Sequence, residues 1–192
     1  MKKRSIIGIV VAAVVYLLLF ILGAASGAIH PACFAYAGTV MPLLFAFVYL
    51  YTASNMKCFG AAAVLNGFVL IVSLLAGEGN TALIVIMLVM TALAEIIRAV
   101  LGYDNLKGVM WSFIPFAFSF YAYTFHWWTE TAGSLEEAVE EMPAGYAATM
   151  EAVINNTTAI VIALVLVIPA AVLGMTLAKK LMKGTSSRLQ AA

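Results

Sequence analysis

Charge is the scarcest thing in this sequence. Asp, Glu, Lys and Arg make up 10% of 192 residues, where soluble globular chains carry about 25%. With 65% hydrophobic residues and a mean hydropathy of +1.06, that shortage excludes a soluble enzyme and a disordered chain. It also excludes a nucleic-acid binder, which needs a basic surface. Histidine is almost missing as well. His30 and His126 are the whole supply, too few for haem ligation across a bundle or for a metal site of the usual donor sets. The two cysteines, Cys33 and Cys58, cannot build a disulfide framework and fall near opposite faces of the expected membrane domain. No Walker sequence occurs, so the chain cannot drive its own transport with ATP. Protease arrangements fail too: Glu136-Glu137 is not followed by the arginine of the membrane Glu-Glu proteases. Ser112, Ser119 and His126 share one apolar segment with no Gly-x-Ser-x-Gly around them. No catalytic set and no cofactor are expected.

What is present is apolar length. A helix needs about 20 mostly apolar residues to cross a bilayer. Candidate spans run over about 6–28, 34–53, 58–76, 81–101, 109–126 and 157–178, which uses nearly the whole chain. The breaks between them, such as His30-Pro31, Gly77-Glu78-Gly79-Asn80 and Tyr103 to Lys107, have the composition of turns. The expected fold is therefore an all-α membrane protein, one domain over 1–192, with six transmembrane helices. A signal peptide is the alternative for the first span. Its apolar run exceeds the usual 7–15-residue core, so a retained helix is expected.

The few charges are ordered. Lys2, Lys3, Arg4, Lys57, Lys107, Lys179, Lys180, Lys183 and Arg188 all fall at one membrane face in a six-span arrangement, with Arg98 near it. Glu78, Glu130, Glu136, Glu137, Glu140, Glu141 and Glu151 fall at the other. The positive-inside rule then places both termini in the cytoplasm. The long loop over 129–156 would lie outside. Within it, Ser134 and Glu137 have capping-box spacing. Leu135, Val139 and Met142 repeat as one apolar stripe, which predicts a short amphipathic helix ended by Pro143-Ala144-Gly145. Its acids read either as a solvated helix face or as a lid over an outward-facing pocket.

Glu95 and Arg98 are the charges placed well inside a span. Ionisable residues there are costly and usually paired, and i, i+3 spacing puts these two on one helix face. The pair reads as a helix-locking intramembrane ion pair or as a coupling element. The run Phe120 to Trp128 ends the fifth span with aromatics. These serve as an interfacial belt or as the wall of a pocket for a planar or cationic ligand. The candidate substrate-binding residues are Tyr123, His126, Trp127 and Trp128, with His30, Asn80, Tyr146 and Asn155 at the same level. Asn66, mid-way along the third span, either lines a cavity or bonds a neighbouring helix. Gly8 and Ala12 have the small-x-x-x-small spacing that allows close helix approach.

Several stretches together carry a resemblance. They are the Ala-rich first helix with Gly8 and Ala12, and Ala94-Glu95-Ile96-Ile97-Arg98 leading to Gly102-Tyr103. With them go Pro143-Ala144-Gly145-Tyr146 and the closing run from Gly174 to Lys183. In order and spacing the chain resembles the Trep_Strep group of small bacterial integral membrane proteins. That group in turn resembles the substrate-binding S components of energy-coupling factor (ECF) transporters. The resemblance implies capture of a vitamin or other micronutrient from outside. It implies as partners a membrane T component and two cytoplasmic ATPases, with docking through Gly8 and Ala12. It places the protein in the bacterial cytoplasmic membrane and leaves the ligand open. The alternatives are a stand-alone transporter or channel, and a ligand-free structural membrane protein.

Overall fold

The computed structural model describes residues 3–183, with side chains from Ile6 onward. Of the basic positions above, Lys2 and Arg188 lie outside the described residues, and the side chains of Lys3 and Arg4 do as well. All regular structure among the described residues is helical. The chain begins with α1 (Lys3–Ala25) and a 3₁₀ turn at Ser26–Ala28. Then come α2 (Pro31–Ala35), α3 (Ala37–Val40), α4 (Pro42–Asn55), α5 (Ala61–Leu75), α6 (Thr81–Leu101) and α7 (Leu106–Ala117). After a second 3₁₀ turn at Phe118–Phe120 follow α8 (Tyr121–Thr124), α9 (His126–Thr129), α10 (Thr131–Glu141), α11 (Tyr146–Ile154) and α12 (Thr157–Leu181).

Three stretches are long and apolar enough to cross a bilayer unaided: Ile6–Ala28, Thr81–Leu101 and Thr157–Leu181. Helix α5 is apolar but shorter, at 15 residues. The segments expected at 34–53 and 109–126 are helical but broken. Proline accounts for part of this. Pro42 opens α4, and Pro115 in α7 has no N–H for the carbonyl of Trp111, so the chain tightens into the 3₁₀ turn that begins three residues after it.

The continuous and broken helices also differ in what they touch. Val10, Val14 and Leu18 of α1, Val85, Leu88 and Ile96 of α6, and Val161, Val165 and Val172 of α12 are exposed. The broken segments supply the interior, with Phe45, Tyr49, Phe113, Phe116 and Phe120 fully buried. The aromatic core they form takes in Tyr16 of α1, whose ring lies 4.7 Å from Phe45 and 5.3 Å from Phe116. Backbone breaks inside a membrane are tolerated where protein, not lipid, surrounds them, and Phe45, Phe116 and Phe120, which flank the breaks here, are buried.

Turn chemistry is local. Asn80, Asn105 and Asn156 cap α6, α7 and α12, their side-chain oxygens accepting from Leu83, Lys107 and Ala159 N–H. Gly60 and Gly102 adopt φ of 119° and 98°, which side chains with a Cβ rarely take. Helices α4 and α12 approach closely at Gly174, where a Cβ would sit 2.7 Å from the Pro42 carbonyl oxygen and 3.0 Å from Leu43 Cα. Both obstacles are backbone. Gly174→Ala is therefore expected to cost about 1–2 kcal/mol through overpacking, read as a lower unfolding midpoint in detergent. Gly67→Ala, where nothing lies within 4 Å, should match or slightly exceed the parent.

At one end of the bundle, here the loop end, α10 and α11 pack over a second small core of Phe34, Ala35, Trp127, Ala138, Met150 and Ile154. The amphipathic helix expected in this loop is present, but its register differs. Helix α10 starts at Thr131, so Ser134 lies inside it and caps nothing. Ser134 and Ala138 are the buried positions, and Val139 is 71% exposed. Ala138 joins Phe34 and Trp127 in the second core, and Leu135 of the expected stripe packs against it. The opposite, terminal end gathers the start of α1, the α4–α5 turn, the α6–α7 turn and the end of α12.

Candidate functional site

A cleft of about 150 Å³ opens at the loop end. Its floor comes from Phe34 on α2 and from Tyr123, His126 and Trp127 on the broken helix. Glu78, in the turn before α6, forms one side, and Glu137 and Glu141 of α10 form the other. The Tyr123 hydroxyl donates to Glu78 Oε2 at 3.1 Å. Phe34 meets the Tyr123 ring edge-on, centroids 5.9 Å apart. His126 lies 5.2 Å from the Trp127 ring, and its Nδ1 shares a 2.8 Å hydrogen bond with Ser134 Oγ. That bond ties α10 to the cleft floor. The arrangement can hold a compact polar or charged group against aromatic faces.

Three expected ligand residues thus meet in one place: Tyr123, His126 and Trp127. Others have different work. Trp128 donates from Nε1 to the Ile154 carbonyl at 3.1 Å, tying the broken helix to α11. Tyr146 covers the second core close to Gly27, and its partial burial raises the phenol pKa above its ordinary value. His30 is exposed and caps α2, its Nδ1 accepting from Ala32 N–H at 3.1 Å. Asn80 caps α6. Asn155 is exposed beyond the end of α11 and does not line the cleft. Glu78 was not among the expected site residues, because the sequence presents it as one more turn residue.

Asn66 lies deep in the bundle, 1% exposed. Its Oδ1 accepts from Tyr16 OH at 3.0 Å, and its Nδ2 donates to Thr91 Oγ1 and Ser119 Oγ, both at 2.9 Å. One amide therefore joins α1, α5, α6 and the second 3₁₀ turn.

Glu95 and Arg98 are both buried at the terminal end, 2% and 0% exposed. The carboxylate accepts from the backbone N–H groups of Gly60 (3.0 Å) and Ala62 (2.7 Å), capping the start of α5. Arg98 Nη2 donates to the carbonyls of Met56 (2.7 Å), Ala53 (3.3 Å) and Tyr103 (3.3 Å). Its guanidinium carbon stands 5.2 Å from the centre of the Tyr103 ring. Nη1 is 3.7 Å from Glu95 Oε2, so the charges attract without a direct hydrogen bond. One turn of α6 holds both sides of the α4–α5 turn.

Also at the terminal end, a shallow apolar groove of about 360 Å³ runs along α1 past Gly8, Val11, Ala12 and Val15, walled by Phe47, Tyr51 and Met182. Ala12 is 6% exposed and packs into the chain's own core. A Cβ on Gly8 would overlap the Tyr51 hydroxyl. The two small residues therefore serve this chain's own helix packing, and the exposed Val11 and Val15 present the groove outward. A larger hollow of about 490 Å³ between α1 and α2–α3 is lined by apolar and small residues including Leu22, Ile29 and Val40 and holds no charged group.

The family described as hypothetical bacterial integral membrane protein (Trep_Strep) matches residues 3–184. No curated protein matches the chain, and no solved structure does.

Proposed function

Because the chain belongs to the Trep_Strep family of bacterial integral membrane proteins, we propose that it captures a small molecule at the membrane surface. It acts as the S component of an ECF transporter does, passing the molecule to a T component driven by two cytoplasmic ATPases. The observation that carries this reading is the placing of two unlike surfaces at opposite ends of α1. An aromatic–carboxylate cleft lies beyond its last turn, and an apolar groove flanks its first turns. The first suits ligand capture, the second a helix of a membrane partner. In this reading the chain crosses the bacterial cytoplasmic membrane six times, 31–55 and 106–129 crossing as segmented helices. Lys57, Lys107, Lys179, Lys180 and Lys183 then share the cytoplasmic face with both termini, and the cleft opens outside.

The test is co-expression with candidate T components and ATPases, followed by affinity purification and native mass spectrometry. Val11→Trp fills the groove from an exposed position and leaves the core alone. It should lower the recovered complex by about tenfold or more while the retained small molecule stays bound. Parent protein that forms no such complex would overturn the reading, as would liposome uptake by the purified chain alone. Equal loss of complex and ligand in Val11→Trp would reject the groove as the docking surface.

A further inference from the structure

The cleft at the loop end has a sign. Glu78, Glu137 and Glu141 stand around it. No Lys or Arg occurs between Lys107 and Lys179, a stretch that holds six glutamates, so no ammonium or guanidinium of that stretch can offset them. Phe34, Tyr123 and Trp127 supply aromatic surface to the rest of the lining, beside His126, Ser134, Ala138 and Met142, and aromatic faces attract cations most where water is excluded. Trp127, one of those walls, is 5% exposed, and its Nε1 hydrogen is buried without an acceptor. A buried donor without a partner is costly, and a small turn of the Trp127 ring toward the cleft on binding would let a ligand oxygen satisfy it.

A metal ion fits this setting poorly. Among the described residues no three His, Cys, Asp or Glu side chains are placed to hold one. Size narrows the choice further. At about 150 Å³ the cleft is smaller than the roughly 300–1,000 Å³ typical of drug-sized ligands, so a compact headgroup fits and an extended ring system does not. Resting on the capture reading above, the geometry points to a small organic cation carrying a hydrogen-bond acceptor, of the hydroxyalkyl-ammonium class, as the ligand of this cleft. Its ammonium group lies among Glu78, Glu137 and the rings of Phe34 and Tyr123, and its oxygen accepts from Trp127.

The test titrates full-length protein in lipid nanodiscs with choline and with ethanolamine, followed by calorimetry and tryptophan fluorescence. At least one should bind saturably. The uncharged carbon isostere of choline should bind about tenfold more weakly or worse, and tetramethylammonium, which has no oxygen, more weakly than choline. Glu78→Gln and Glu137→Gln alter exposed side chains, and unfolding midpoints near the parent's would confirm that both fold. Each should lower affinity about tenfold, while Glu151→Gln, outside the cleft, should not. Binding by neither amine, equal binding of the carbon isostere, or unchanged affinity in Glu78→Gln would overturn the proposal. A neutral or anionic molecule retained in native mass spectrometry would overturn the cation assignment and leave the capture reading standing. Amine binding without any T component or ATPase complex would uphold the assignment and reject the S-component role.

Discussion

Arg98→Leu is expected to lower stability by about 3–5 kcal/mol, the cost of breaking a buried ion pair by removing one partner. The expectation rests on what each charge touches. Arg98 Nη2 serves carbonyls on both sides of the α4–α5 turn and on the α6–α7 turn, and leucine leaves all three without a donor. It also leaves the Glu95 carboxylate buried, with only the Gly60 and Ala62 N–H groups to balance its charge. Glu95→Gln/Arg98→Leu removes both charges, so its cost should fall short of the summed costs of Glu95→Gln and Arg98→Leu by about 0.5–3 kcal/mol. Thermal or denaturant unfolding in detergent reads both quantities. Additive losses would mean that the two charges do not act as a pair, and a near-parental Arg98→Leu would mean that neither turn depends on it.

The second large effect is at Asn66. Asn66→Leu strands Tyr16 OH, Thr91 Oγ1 and Ser119 Oγ together. Stranded buried groups cost about 1–3 kcal/mol each in soluble proteins, and membrane hydrogen bonds average nearer 0.6, so a total of about 2–3 kcal/mol is expected. Tyr16→Phe removes one of these bonds and should cost about 1 kcal/mol. The same unfolding assay separates the two. An Asn66→Leu loss no larger than that of Tyr16→Phe would show that the amide is not the hub of the network.

Some of this was legible in the sequence. Tyr123, His126 and Trp127 follow i, i+3, i+4 spacing, which puts them on one helical face even though the helix is broken. Trp128, the next residue, points to a different neighbour. The Glu95–Arg98 pairing followed from the same rule. What spacing could not separate was a cap from a ligand: Asn80 and His30 stand at the right level and spend their acceptors on backbone N–H groups. For Asn80 a signal existed, an amide just before a long apolar run. Glu78 carried none, since its partner Tyr123 lies 45 residues away. The stripe read in α10 holds at Leu135, which packs on the second core, and at Met142, which lines the cleft, but not at Val139, which is exposed while Ala138 beside it is buried.

The division between continuous outer helices and broken inner ones has a consequence for the bilayer itself. Lipid thickness acts on the side chains that touch lipid, and those belong largely to α1, α6 and α12. These helices are unequal. At about 1.5 Å per residue, the 25 residues of α12 extend about 38 Å and the 21 of α6 about 32 Å, against a hydrocarbon core of about 30 Å. Helix α6 nearly matches it, whereas α12 exceeds it and carries Lys179 and Lys180 in its last turn, where charged side chains suit an end that protrudes. Because α12 packs onto α4 at Gly174 with no slack, a bilayer that tilted α12 would also press on the inner helices through that contact.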